Sequence, residues 1–486
     1  MTEKQSLKAK TVNGVGWSAI DTVANQGITF LVGLVLARLL SPDEYGLIGI
    51  IMIFIALFNV FIVSGFNSAL IRKKDTSDKD YNTMFLFNIG VSIVLFVVLW
   101  LASPVIASFF KREELTALTR AMGVILLINA FSLVQVTILT KQINFRKQAK
   151  ISLIASVTSG VLGIGMALAG YGVWSLVSQQ ISRQGLNAFL LWIWSKWRPD
   201  FTFSRTSFKY LWGYGWKLLC SSLLDTTWTQ LYQVVIGKCY TPATLGQYSR
   251  AYQFSNIFSQ NLTNIVQRVS YPVLSSIQDD LERLKEAYRR VIKTTMLVSF
   301  ICMLGLAAIA RPMVLVLIGE QWLPCVVMLQ LLNFNMMLYP LHALNLNMLQ
   351  VQGRSDLFLK IEIYKKIIAV GPILLGIFYN IHAMLIGSIF SSFIAYYLNA
   401  YYSRPFLKYS IWQQVRDILP SFGVAVAMAV PVYFLTYLPL PPLPILLIQL
   451  VVGAIIIFAI CEAIKLPEYL ELKNIALGAL RKITKK

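Results

Sequence analysis

The sequence predicts an all-α integral membrane protein of fourteen transmembrane helices, built as two parallel repeats of six with two trailing helices. Three observations carry that prediction. Hydrophobic residues make up 57% of the 486 and charged residues 13%, with a mean hydropathy of +0.64, too little polar surface to close a water-soluble globule of this length. The apolar stretches are long enough to cross hydrocarbon as helices and do not alternate as barrel strands would, and backbone groups in lipid must be satisfied within the segment. The chain also repeats itself. Gly14-Val15-Gly16-Trp17 returns 199 positions later as Gly213-Tyr214-Gly215-Trp216, and Ser41-Pro42-Asp43-Glu44-Tyr45-Gly46 returns 200 positions later as Thr241-Pro242-Ala243-Thr244-Leu245-Gly246. Two motifs in register, each bracketing a helix-length stretch, argue for duplicated halves.

The spans follow in order. The first, 13–38, begins after Lys4, Lys8 and Lys10 and lacks a small-residue cleavage pattern, so it reads as a resident helix and not as a signal peptide. The second (45–70) follows a tight turn at Ser41 to Glu44. The third (83–103) and fourth (117–139) are joined by the longest outer connection, Ser103 to Thr116, and the fifth (151–170) and sixth (173–194) by a turn at Ala169 to Gly172. A basic segment, Ser195 to Lys209, leads into the seventh (210–237), and Tyr240 to Leu245 turns into the eighth (246–271). The ninth (292–317) and tenth (325–349) flank Gly319 to Pro324, and the eleventh (361–379) and twelfth (383–402) flank Tyr379 to His382. The thirteenth (418–437) and fourteenth (443–464) are joined by the proline-rich bridge near Leu438 to Pro444. The corresponding domains are an N-terminal six-helix lobe (1–195), a cytoplasmic linker (196–209), a C-terminal six-helix lobe (210–405), and two further spans with a basic tail (406–486).

Charge sets the orientation. Most of the 43 Lys and Arg fall at the termini and in the loops after even-numbered spans, which places both termini in the cytoplasm by the positive-inside rule. Six spans separate the starts of the two copies, an even number, so the repeats are parallel and related by an axis along the membrane normal. A formal charge of +21 finds its partner in anionic lipid headgroups, since it is dispersed among short loops, and nucleic acid is not expected. The five cysteines form no CxxC pair, so neither a metal nor a disulfide is expected. His342 and His382 read as packing residues. No phosphate loop, HExxH, GxSxG or paired-carboxylate pattern is present, and the outer loops are turns; the sequence does not read as an enzyme.

What remains are polar groups in membrane helices. An ionised side chain at the bilayer centre costs about 2.5–3.5 kcal/mol on insertion scales, so such residues face a cavity or a partner. The sixth span holds Gln179, Gln180, Arg183, Gln184 and Asn187. On the eighth, Arg250, Gln253, Asn256, Gln260, Thr263 and Gln267 recur at steps of three and four, and Asn261, Asn264 and Arg268 widen that face, which suits a water-filled cleft. Asp21, Asn25 and Gln26 lie in the first span, and at the repeat offset Gln26 falls on Asp225 of the seventh. Lys217 lies near the level of Asp21, which allows a cross-cleft pair, although its aromatic neighbours equally suit snorkelling to the interface. Glu362, among Lys360, Lys365 and Lys366, reads as a local helix ion pair.

Several segments resemble a known family: LARLLSPDEYGLIG at 36–49, SGFNSALIRK at 64–73, GYGVWSLVSQQ at 170–180, LGQYSRAYQF at 245–254, SSIQDDLERLKEAYRR at 275–290, IGEQWLP at 318–324 and QGRSDL at 352–357. They are similar to the Wzx-type polysaccharide flippases of the multidrug/oligosaccharidyl-lipid/polysaccharide exporter superfamily, over most of the chain. The resemblance implies two six-helix lobes around a central cleft, a bacterial inner-membrane location, and a cargo of undecaprenyl-pyrophosphate-linked oligosaccharide moved outward for O-antigen, capsule or exopolysaccharide assembly. SPxxxG and QDDxxRL read as structural, fixing helix starts and a cytoplasmic segment.

On that implication Arg183, Arg250 and Arg268 are the candidate pyrophosphate ligands, arginine being suited to bidentate phosphate contact. Gln180, Gln253, Asn256, Gln260, Asn264 and Lys217 complete the candidate cleft, and Asp21 and Asp225 are candidates for coupling to a proton or sodium gradient, with no other cofactor. Partners would be membrane lipids and polysaccharide polymerase machinery. Two other readings stay open: a multidrug or cation antiporter of the same fold, and a non-transporting scaffold for polysaccharide synthesis.

Overall fold

Every element among the described residues of the computed structural model is helical. The backbone is described for residues 3–63, 65–73, 75–352 and 354–484, and the side chains for these apart from 3–16, 18–21, 269, 350, 355, 358–359, 402–407, 475–476 and 479–484. The chain divides into two units, Met1–Gly246 and Gln247–Lys486.

The first unit contains α1 (Glu3–Leu39), α2 (Pro42–Val63), α3 (Phe66–Arg72), α4 (Asp78–Phe110), α5 (Glu114–Lys141), α6 (Phe145–Leu168), α7 (Val173–Trp194), α8 (Arg205–Cys239) and the first turn of α9 (Pro242–Ser276). The duplicated Ser-Pro and Thr-Pro motifs are helix starts. Pro42 takes the first helical position, where its missing N–H is no loss, while the Glu44 N–H donates to Ser41 Oγ and the Ser41 N–H donates to Glu44 Oε2 at 2.7 Å, a reciprocal capping box. The second copy keeps half of this, the Thr244 N–H donating to Thr241 Oγ1 at 3.2 Å. The two copies also touch each other. A Cβ on Gly46 would lie 1.8 Å from the Pro242 carbonyl oxygen, and one on Gly246 would lie 2.0 Å from that of Pro42. The sixth residue of each motif is therefore glycine because two helix starts meet there backbone to backbone.

The predicted second span is broken into α2 and α3 at Gly65, whose φ of +69° is a left-handed conformation that glycine adopts without steric cost. That turn rests on Gly215 of the second GxGW motif, whose carbonyl oxygen would be 2.7 Å from a Cβ at 65. The linker is pinned and not free: Asn82 Nδ2 donates to Thr202 Oγ1, the Asp200 N–H to Asn82 Oδ1, and the Ser204 N–H to Thr83 Oγ1. Trp197 and Phe208 pack on Phe66, Phe85 and Leu211. With its linker and its N-terminal half both fastened, α8 packs on α2, α3 and α4, and the boundary between units falls after it.

The second unit contains the rest of α9, then α10 (Leu281–Ala308), α11 (Ala310–Leu317), α12 (Cys325–Met336), α13 (Tyr339–Val351), α14 (Ser355–Phe378), α15 (Ile381–Leu407), α16 (Ile411–Phe434), α17 (Pro442–Ile464) and α18 (Pro467–Thr484). Its core is a stripe on α10, Tyr288, Ile292, Met296 and Phe300, set against Leu341 and Leu344 of α13 and Ile418 and Ala425 of α16. Asp280 of the QDDxxRL motif caps α10, accepting from the Arg283 N–H. The predicted tenth span is two helices, because Pro340 has no N–H for the Met336 carbonyl. Serines from neighbouring helices fill the gap: Ser259 Oγ donates to Met336 O at 3.1 Å and Ser299 Oγ to Met337 O at 2.7 Å.

Ten helices, among the described residues, are long and apolar enough to cross a membrane. The protein is thus a multi-pass, all-α membrane protein. Helices α7, α8, α9 and α14 are not among the ten, although α8 and α9 are each 35 residues long. Three of these four carry the candidate site residues other than Asp21, and the polar side chains that nominate them are what lowers their hydropathy.

Candidate functional site

Helix α7 brings Gln180, Arg183, Gln184 and Asn187 to one face, since steps of three and four close on the helical period. All four are half-buried. Beside this face the first unit holds a cavity of about 440 Å³, lined by Asn59, Val60, Val63 and Gly65 of α2 and its end, Asn129, Ser132, Leu133 and Val136 of α5, Gln184 and Asn187 of α7, and Leu219 and Ser222 of α8. Asn129 Nδ2 donates to Asn59 Oδ1 at 3.0 Å. Sequence reading found Gln184 and Asn187 but not Asn59 or Asn129. Each of those is a solitary amide in an apolar stretch, and they meet only through the packing of α2 on α5.

In the second unit the polar residues of α9 divide between two faces. Ser255 Oγ donates to Asn333 Oδ1 at 2.7 Å, and Gln267 Nε2 to Asn347 Oδ1 at 3.4 Å. Together with Ser259, these bonds stitch α9 to α12 and α13. Gln267 is thereby tied to α13, and Thr263 is buried with its hydroxyl returned to the Ser259 carbonyl of its own helix, so both have partners within the fold. The remaining residues, Arg250, Gln253, Asn256, Gln260, Asn264 and Arg268, stay in line on α9, the middle three half-buried and the last two exposed. Arg250 is buried, with its guanidinium 5.7 Å from the Trp322 ring centroid and Nη1 donating to Gln253 Oε1 at 2.7 Å. It orients the Gln253 amide so that the NH₂ end is turned away from the arginine.

Lys217 and Asp225 are both exposed on α8. The side chain of Asp21, and with it the Asp21 to Lys217 pair, lies outside the described residues. Asn25 of α1 bridges two serines of α6, donating to Ser152 Oγ and accepting from Ser156 Oγ, each at 2.7 Å. His342 is a seam residue, its ring nitrogens 3.0 Å from Ser392 Oγ and 3.1 Å from Asn399 Nδ2. Lys365 pairs with Glu362 at 2.6 Å, one turn away.

The polysaccharide biosynthesis protein family Polysacc_synt_3 matches residues 35–327. The chain is 29% identical over 355 residues to the teichuronic acid biosynthesis protein TuaB of Bacillus subtilis, covering 72% of this chain and 73% of that one. It is 25% identical over 378 residues to the lipopolysaccharide biosynthesis protein WzxC of Escherichia coli, covering 76% of each. In fold it is similar to the lipid II flippase MurJ, with a TM-score of 0.74 at 15% identity over 94% of this chain and all of that one.

Proposed function

Because the chain belongs to the polysaccharide biosynthesis protein family, and is similar in fold to the lipid II flippase MurJ, we propose that it carries undecaprenyl-pyrophosphate-linked oligosaccharide across the bacterial inner membrane by alternating access. Family membership makes the chain a membrane protein of polysaccharide biosynthesis, and its likeness in fold to a flippase supports transport in place of catalysis. In the fuller reading α7, α8, α9 and α14 also cross, for fourteen spans with both termini cytoplasmic. The spans at 13–194 and 210–402 are then parallel repeats that form the two lobes, followed by the trailing pair.

The observation that carries the proposal is the α9 face. From Arg250 to Arg268 it runs about 27 Å along the helix, close to the roughly 30 Å of hydrocarbon in a bilayer. It carries amides throughout and arginines at both ends, and a helix presenting such a face to lipid would be expelled from it. A sugar pyrophosphate needs these groups: guanidinium for the diphosphate, and amides that both donate and accept for hydroxyls. Arg183 and Arg268 act as direct phosphate ligands. Buried Arg250 acts through the Gln253 amide, and Gln180, Asn256, Gln260 and Asn264 meet the glycan, with Lys217 as a further cation. Asp21 and Asp225 are the groups through which a proton or sodium gradient would couple.

The test is translocation of lipid-linked oligosaccharide in proteoliposomes, with leaflet exposure read by glycosidase or lectin access. Arg183→Ala, Arg250→Ala and Arg268→Ala together should abolish translocation of a protein that still elutes as a single species. Native rates in the triple variant would remove the arginines from the pathway, and no translocation by the native protein would remove the carrier reading itself. Ion-dependent transport unchanged in Asp21→Asn with Asp225→Asn would remove the coupling role.

A further inference from the structure

We propose that the cavity bounded by α2, α5, α7 and α8 in the first unit is a subsite for one uncharged sugar ring, the ring that adjoins the diphosphate of the cargo. The identification with cargo rests on the carrier reading above. The chemistry of the ligand comes from the cavity.

The lining is largely apolar, and the polar groups set into it are neutral. Asn59, Asn129, Ser132, Gln184, Asn187 and Ser222 contribute amides and hydroxyls, and among the described residues no Lys, Arg, His, Asp or Glu lines the space. A charged ligand would therefore be desolvated without a counter-charge. A lipid chain would leave the amides without partners. A ring of hydroxyls satisfies them, because each hydroxyl both donates and accepts and each amide offers both functions side by side. The Asn129 to Asn59 bond fixes two of the amides and leaves Asn59 Nδ2 as donor and Asn129 Oδ1 as acceptor. Gln184 and Asn187 make no hydrogen bond to a protein group among the described residues, so their amides are uncommitted.

Size and surroundings fit as well. About 440 Å³ lies within the ordinary range of small-molecule sites. The apolar side of the lining, Val60, Val63, Leu133 and Val136, gives the C–H face of a pyranose somewhere to rest. Gln184 and Asn187 share their helical face with Arg183, so a ring held by these amides lies within a turn of a cation suited to its phosphate.

The experiment uses the full chain in detergent, with free glucose, galactose, N-acetylglucosamine and N-acetylgalactosamine as probes in saturation-transfer NMR. Inorganic pyrophosphate serves as the control ligand. One variant, Gln184→Met with Asn187→Leu, removes the uncommitted amides at near-constant volume. A second, Ser222→Trp, fills the space from an exposed position where a large side chain does not disturb the core. At least one sugar should bind the native protein, both variants should weaken it tenfold or more, and pyrophosphate affinity should be unchanged in both. Binding of no sugar by the native protein, or native sugar affinity in both variants, overturns the subsite. Translocation in proteoliposomes separates this from the carrier reading. If the native protein binds sugar but moves no lipid-linked oligosaccharide, the carrier reading fails and the subsite stands. If both variants translocate at the native rate, the subsite fails and the carrier reading stands.

Discussion

Replacing Gly46 with alanine tests whether the duplicated helix starts are held together by the absence of two side chains. A Cβ at 46 would sit 1.8 Å from the Pro242 carbonyl oxygen, 2.3 Å from its carbon and 2.8 Å from the Pro242 Cα. Side-chain carbons essentially never approach closer than 3.0 Å, so the two first turns must separate by about 1.2 Å at the least. All three obstructing atoms are backbone, and no rotamer change relieves the clash. Overpacking of this kind costs about 1–3 kcal/mol where side chains can yield, and here the upper end applies. For a unit of 246 residues, about 3 kcal/mol corresponds to a fall in midpoint of about 6–12 °C. The assay is thermal unfolding of the purified protein in detergent, followed by the loss of the monodisperse peak in fluorescence-detected size exclusion. Gly246→Ala, whose Cβ would lie 2.0 Å from the Pro42 carbonyl oxygen, should behave alike. The double variant should cost less than the sum of the two, since both changes relax the same contact. Gly90→Ala is the control, with nothing within 4 Å of the added carbon. A Gly46→Ala protein as stable as that control would show that the two first turns are not in backbone contact.

Three further outcomes are expected. Ser41→Ala removes the acceptor for the Glu44 N–H and should destabilise the start of α2 by about 1 kcal/mol, read as faster hydrogen exchange of the first-turn amides; unchanged exchange would exclude the cap. Asp417→Ala deprives the buried Tyr409 hydroxyl of an acceptor at 2.6 Å and Arg289 of a two-pronged partner at 2.7 and 2.8 Å. Arginine at this exposed position can rehydrate, so the cost is mainly the stranded tyrosine, about 1–3 kcal/mol, and urea unfolding that leaves the variant equal to native would contradict it. Helix α18 is fastened by Arg290 to Glu471, Lys293 to Glu468, and Lys473 to Glu462, and its hydrogen bond to Glu462 holds the Lys473 ammonium above its ordinary value of 10.5. A raised lysine contributes fully below that ordinary value and loses its contribution as pH climbs through the elevated one. A spin label at Leu477→Cys, in a background without the exposed Cys220 and Cys239, should therefore stay immobile up to about pH 10.5 and loosen above it. Mobility independent of pH would show that the pair does not hold the helix.

Much of this protein was legible before any coordinates. The membrane class and the helix starts at Pro42 and Pro242 are local properties, set by hydropathy over one helix length and by side chains that bond within a single turn. The α9 face was legible for the same reason, because helical periodicity is contained in one stretch of chain. The breaks were harder. Gly65 and Pro340 interrupt apolar runs that composition reads as continuous, and the interruption at Pro340 is stabilised by Ser259 and Ser299 from other helices.

Sequence alone thus determined that the chain is helical and belongs in lipid, and it supplied the pair of repeated motifs. Tertiary structure decided what each polar residue is for. It tied Ser255 and Gln267 to neighbouring helices, turned the Thr263 hydroxyl back onto its own helix, and joined Asn59 to Asn129, 70 residues on. Periodicity names a face of a helix but not what packs against that face. Two amides become a site only when the backbones that carry them are brought within a hydrogen bond's length.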